Sequence, residues 1–122
     1  MDILIVEDEL PTQRLLKDMI EKARPDWHIA GCTSSVDETM EWLEENSQPT
    51  LIFLDIQLSD GTCFEIFDRV QIDSFVIFTT AYDEYAIQAF RVNSIDYLLK
   101  PVNREKLEEA IRKYEPLFRE NK

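Results

Sequence analysis

Three features of the chain predict an α/β fold in which a five-stranded parallel sheet is doubly wound by helices. Ile3-Leu4-Ile5-Val6, Leu51-Ile52-Phe53-Leu54 and Phe75-Val76-Ile77-Phe78 are apolar runs of strand length with almost no alternation, as expected for strands covered on both faces. Between them, apolar residues recur at helical spacing. With two further strands counted, around Trp27 and Tyr97, successive strands start roughly 21 to 25 residues apart, room for a short strand, a crossover helix and two loops, the connection that parallel neighbours require.

The elements follow in order. After the first strand, Leu16, Met19, Ile20 and Ala23 form the stripe of helix one, and Pro11 suits its first turn, where a missing amide hydrogen does no harm. A second strand runs around Trp27 to Cys32. Ser35-Val36-Asp37-Glu38 is a capping-box arrangement, and Val36, Met40 and Leu43 continue an apolar face toward a helix end near Asn46. The third strand, Leu51 to Asp55, leads through a loop containing Gly61 into a helix near Cys63 to Val70. A fourth strand covers Phe75 to Thr80. Asp83 can cap a fourth helix carrying Ala86, Ile87, Ala89 and Phe90, and Tyr97-Leu98-Leu99-Lys100 reads as strand five. Leu107, Ala110, Ile111 and Tyr114 form the buried stripe of a last helix, which Pro116 should limit.

The 122 residues suit one domain, and 44% apolar content is enough for a core. A net charge of -12, from 13 basic and 25 acidic residues, repels phosphate backbones, so this segment alone should not bind nucleic acid. No apolar stretch approaches the roughly twenty residues of a membrane span, and no basic segment precedes the first apolar run. A cytoplasmic chain without a membrane partner is expected. Cys32 and Cys63 lie apart without a Cys-x-x-Cys pattern and are read as reduced, partly buried thiols. His28, the single histidine, falls in the second strand region and is read as a packing or surface residue.

The informative residues stand where strands end. Glu7-Asp8, Asp55, Thr79-Thr80 and Lys100 follow four of the five predicted strands, and ligands of such sheets gather at the carboxyl edge. Like charges about 4 Å apart at an effective dielectric near 20 repel by roughly 4 kcal/mol. The carboxylates therefore need a cation or a raised pKa. A hard divalent ion such as Mg²⁺ fits, with Asp8 and Asp55 as direct ligands and Glu7 nearby or acting through water. An ionised aspartate needs no general base to attack phosphorus, which makes Asp55 the candidate nucleophile, assisted by Lys100 and the hydroxyl of Thr80.

Ile5-Val6-Glu7-Asp8-Glu9, Leu54-Asp55-Ile56, Thr80-Ala81 and Lys100-Pro101 together resemble the receiver domain of two-component response regulators. Phe78 to Ala86, Ala89-Phe90 and Asp96 to Pro101 are similar to its LytTR-type (LytR/AlgR) subfamily. The resemblance covers essentially residues 1–122. It implies the flavodoxin-like (βα)5 receiver fold with strand order 2-1-3-4-5. It also implies phosphoryl transfer from a phosphohistidine on a sensor histidine kinase to Asp55, with Mg²⁺ held by Glu7, Asp8, Asp55 and the backbone carbonyl of Gln57. Catalysis would extend only to the chain's own phosphorylation and dephosphorylation. The family further selects Thr80 over Thr79, makes Lys100-Pro101 a cis peptide, and assigns Thr80 and Tyr97 to a switch. That switch would repack the surface of helix four, strand five and helix five, where a homodimer can form, and control an output such as transcription. A C-terminal LytTR DNA-binding domain, the expected route to DNA in the full-length protein, has no room within these residues.

Two departures fall in the loop after Asp55: Ser59 where many receivers have proline, and Cys63 where a small residue is common. Two rival functions remain. A Mg²⁺-dependent phosphatase of the haloacid dehalogenase type would also use Asp55 as nucleophile, although Gln57 stands where it would place a second acid. The other is a receiver-like interaction module that never takes phosphate.

Overall fold

The unbroken apolar runs become the middle of the sheet. The computed structural model describes residues 1–81 and 94–120. Its order is β1 (Asp2–Val6), α1 (Leu10–Ala23), β2 (His28–Thr33), α2 (Val36–Glu45), β3 (Leu51–Asp55), the short strands β4 (Gln57–Leu58) and β5 (Gly61–Thr62), α3 (Phe64–Arg69), β6 (Phe75–Thr80), β7 (Ser94–Leu99) and α4 (Arg104–Glu120). The five long strands pair in parallel in the order β2-β1-β3-β6-β7. This is the expected topology, with β6 and β7 as the fourth and fifth long strands. The predicted helix from Asp83 to Phe90 and the side chain of Tyr114 lie outside the described residues.

Strand alternation splits the core into two layers. Ile3, Ile5, Phe53 and Ile77 face α1 and α4, packing on Leu16, Ile20, Leu107 and Ile111. Leu4, Val6, Ile52, Leu54 and Phe78 face α2 and α3, packing on Val36, Leu43 and Ile66. Both faces of β1 and β3 are covered, which is why their sequences lack polar alternation. Gly31 lets α2 approach β2, because a Cβ there would lie 2.5 Å from Nε1 of the Trp42 indole.

The helix ends follow local chemistry. Pro11 occupies the first turn of α1. Ser35 caps α2 by accepting from the Glu38 amide at 3.0 Å. The reciprocal carboxylate bond goes to the amide of Ser34 at 2.6 Å, one residue before the cap.

Three sequence expectations need correction. Residues 57–62 form a small antiparallel hairpin of β4 and β5 where only a loop was expected, since two-residue strands are too short to leave a period. The last long strand starts at Ser94 instead of Tyr97, because Asp96 interrupts the apolar pattern of an edge strand. Pro116 lies inside α4 and does not end it. A proline there removes one amide donor, while Arg24 fixes the preceding turns. Its guanidinium donates to Glu108 at 3.0 Å and to Glu115 at 2.9 Å, and it lies 6.0 Å from the Trp27 ring centroid.

Replacing Arg24 with Ala should therefore lower stability by roughly 1–3 kcal/mol and accelerate amide exchange in α4 after Glu108. Unchanged denaturation and exchange would mean that the clamp is not what carries the helix past Pro116.

Candidate functional site

Parallel strands end at one edge, and the polar residues that follow them must share it. Glu7 and Asp8 leave β1, Asp55 ends β3, Thr79 and Thr80 end β6, and Lys100 follows β7. Pairing of Val6 with Leu54, Asp55 with Thr79 and Thr80 with Leu99 brings these ends level. Side-chain oxygens of Glu7, Asp8 and Asp55 lie within 4.8 Å of one another. Asp8, Asp55, Gln57, Thr80 and Lys100 line one open cleft of about 580 Å³.

The acids are not equivalent. Glu7 is 1% exposed and Asp55 3%, whereas Asp8 faces solvent. The Lys100 ammonium donates to Glu7 Oε1 at 2.6 Å and to Asp55 Oδ2 at 3.1 Å, and the Glu9 amide donates to Glu7 Oε2 at 3.1 Å. Both oxygens of Glu7 are thus engaged inside the protein, and Asp8, Glu9 and Asp55 are the carboxylates that line the cleft. The Lys100–Pro101 peptide bond is cis.

Thr79 and Thr80 part company by strand alternation. Thr80 lines the cleft with Asp55, while Thr79 lines a separate cavity of about 300 Å³ against α1. Tyr97, half-buried, pairs with Phe78 and packs in the α2 and α3 layer. It therefore shares the sheet face of Thr80, two residues farther along β6. Gln57 is exposed at the start of the hairpin beside Asp55. His28 pairs with Asp2 on the surface at 3.1 Å, on the opposite edge of the sheet. Cys32 and Cys63 are free thiols, half-buried and buried. Burial, reinforced by Asp55, pushes the Cys63 thiol up.

Sequence reasoning missed two supports because both are tertiary. Gln13 Nε2 donates to the carbonyls of Glu7 and Thr33 at 3.1 and 3.2 Å, tying α1 to the ends of β1 and β2. Asp60, at the hairpin tip, accepts from the amides of Val36 and Asp37 across 24 and 23 residues of sequence.

Electrostatics leaves Asp55 under-neutralised. Burial, then the charge of Glu7, raises its pKa from 3.8 to about 7 against the pull of Lys100. Burial also opposes the Lys100 ammonium, but Glu7 and Asp55 outweigh it and raise its pKa. The shorter bond goes to Glu7, so Lys100 answers that charge first. Three oxygen-donor carboxylates, one of them open to solvent, fit a hard divalent cation such as Mg²⁺.

Between about pH 4 and 7 the folded chain keeps a proton on Asp55 that the unfolded chain releases, so this group lowers stability as pH rises through that window. With chelator present, Asp55→Asn should match the parent near pH 4 and exceed its melting temperature by several degrees, about 5 °C, near pH 7. Parallel pH profiles for the two proteins would contradict the raised pKa.

Comparison with known proteins agrees with this geometry. The family profile described as response regulator receiver domain matches residues 3–112. The sensory transduction protein LytT of Bacillus anthracis is 38% identical over 117 residues, covering 93% of this chain and 47% of the relative. LytR of Streptococcus mutans is 34% identical over 120 residues, covering 93% and 48%. The chain thus spans about half the length of the curated relatives it matches. The crystal structure of the response regulatory domain of mrkE from Klebsiella pneumoniae superposes with a TM-score of 0.85 at 28% identity, covering 98% of this chain and 99% of that one. A run of strand-end acids closed by a lysine, on this sheet order and with these relatives, makes the chain a member of the response regulator receiver domain family, of the LytTR type.

Proposed function

We propose that this receiver takes a phosphoryl group from a phosphohistidine of a sensor histidine kinase onto Asp55, with Mg²⁺, and so controls an output. The observation that carries the reading is the convergence of Asp8, Asp55, Thr80 and Lys100 in one solvent-open cleft. Asp8, Asp55 and the backbone carbonyl of Gln57 would hold the ion, with Glu7 behind them. When bound, Mg²⁺ supplies the positive charge that favours ionised carboxylates and offsets the equatorial phosphoryl oxygens.

The chain's own residues do the rest. A carboxylate oxygen of Asp55 forms the new O–P bond as the N–P bond of the donor breaks, and the imidazole nitrogen keeps the electron pair. Asp55 acts as nucleophile only when ionised, and its raised pKa makes that state dependent on a neighbouring cation. Lys100, already 3.1 Å from Asp55 Oδ2, can follow the developing charge on the phosphoryl group. Thr80 contributes a hydroxyl from the cleft wall.

Phosphorylation replaces the single carboxylate charge of Asp55 with a group of about -1.5 to -2 that offers three strong acceptor oxygens. Thr80 moving toward them would vacate space on the face it shares with Tyr97, which would turn inward and repack the edge formed by the predicted helix at Asp83 to Phe90, β7 and α4. That surface would then pair two copies of the receiver. Since the relatives are about twice as long, the output is assigned to a DNA-binding LytTR domain of the full-length protein, acting on transcription in the cytoplasm. Among the described residues no helix is long and apolar enough to cross a membrane.

Incubation with acetyl phosphate and Mg²⁺ should add one phosphoryl mass to the parent chain and none to Asp55→Asn, and a chelator should abolish the increment. Lys100→Met should slow the reaction roughly 100-fold. An unchanged intact mass for the parent at saturating Mg²⁺ would refute the reading. Separately, replacing Tyr97 with Ala should leave phosphorylation intact while uncoupling it from self-association. Undiminished phosphorylation-dependent assembly in that variant would remove Tyr97 from the switch.

A further inference from the structure

The hairpin that follows the phosphoacceptor is anchored by a carboxylate that the proposed chemistry does not use. Asp60, at its tip, accepts from the Val36 amide at 2.7 Å through Oδ1 and from the Asp37 amide at 3.1 Å through Oδ2. With Ser35 accepting from Glu38, side chains satisfy the amides of all three opening residues of α2, groups that a helix cannot satisfy by itself. Two of those three bonds come from another element. The same amides hold the Asp60 carboxyl below its usual range.

What this anchor fixes is the wall of the cleft. Gln57 pairs with Thr62 and Leu58 with Gly61, and all four line the pocket with Asp8 and Asp55. The hairpin is closed at its base by the Cys63 amide donating to Ile56 at 2.8 Å, and Glu65 accepts from the Thr62 amide at 3.0 Å. Gly61 has φ +153°, and a Cβ there would collide with the Glu65 carboxylate. Base and flank are thus set locally, whereas the tip reaches α2 through Asp60.

We propose that Asp60 is a positioning residue for the metal pocket: by capping α2 it holds the Gln57 to Thr62 hairpin in register with Asp8 and Asp55, so that the Gln57 carbonyl is preorganised toward the ion. The inference rests on the phosphoacceptor reading above for the role of the ion, but the anchoring itself is testable without metal.

The test compares Asp60→Ala, Asp60→Asn and Ser35→Ala in the full chain. In metal-free protein, amide exchange at Cys63 and across the hairpin should accelerate about tenfold in Asp60→Ala, less in Asp60→Asn, which keeps one acceptor, and remain unchanged in Ser35→Ala, which removes only the local cap of α2. In acetyl phosphate reactions, Asp60→Ala should raise the Mg²⁺ concentration for half-maximal rate about tenfold while leaving the rate at saturating Mg²⁺ within about twofold, and Asp60→Asn should recover most of the shift. Unchanged hairpin exchange in Asp60→Ala would overturn the proposal. So would an equal Mg²⁺ shift in Ser35→Ala, which would trace the effect to general loosening of α2. Failure of the parent chain to take phosphate would instead refute the phosphoacceptor reading, with the exchange result still deciding what Asp60 anchors.

Discussion

One ammonium group shared by two buried acids organises the carboxyl edge of this sheet. Lys100 donates to Glu7 at 2.6 Å and to Asp55 at 3.1 Å, linking the ends of β1, β3 and β7, which enter the sheet from distant parts of the sequence. One positive charge cannot answer two buried negative ones. Burial first, and then the incompletely answered charge of Glu7, raise Asp55 to about 7, with Asp8 adding a third carboxylate within reach. Breaking the pair by removing Lys100 would leave both acids buried without compensation, the costly way to lose a buried ion pair. A divalent cation would resolve the same imbalance favourably. Under the proposed function, metal affinity, nucleophile ionisation and phosphoryl neutralisation would be three expressions of one charge deficit.

The surrounding structure keeps that deficit from relaxing. Glu7 cannot swing out to water because its second oxygen holds the Glu9 amide, and Gln13 pins the Glu7 carbonyl from α1. Asp55 ends a strand whose every residue is buried, so its backbone is fixed by the Leu51 to Leu54 packing. Asp60 and Cys63 restrain the hairpin that forms the outer wall. Among the described residues no buried side-chain polar atom lacks a hydrogen-bond partner. The tension at the site is therefore one of charge and not of unmade bonds.

How much of this could be read from sequence depended on the range of the interaction. The runs at Ile3 and Leu51 reported burial directly, since burial on both faces removes polar alternation, and the acids after them marked the site. Helix α2 announced itself through Ser35 and Glu38. By contrast, the Gln57 to Thr62 hairpin has too few residues to show a period, and Asp60 and Gln13 act on amides or carbonyls far away in the chain, so no local pattern signals either. Pro116 misled because its local cost was visible and the compensating bonds from Arg24 to Glu108 and Glu115 were not. Thr80 and Thr79 were separable only by resemblance until strand alternation placed them in different cavities.

The charge deficit at Asp55 is best tested by following its side-chain carboxyl carbon by NMR through a pH titration, with and without Mg²⁺. Without metal the midpoint should lie near 7, and saturating Mg²⁺ should move it down toward or below the ordinary aspartate value of about 3.9. A metal-free midpoint near 3.9 that Mg²⁺ leaves in place would contradict the account.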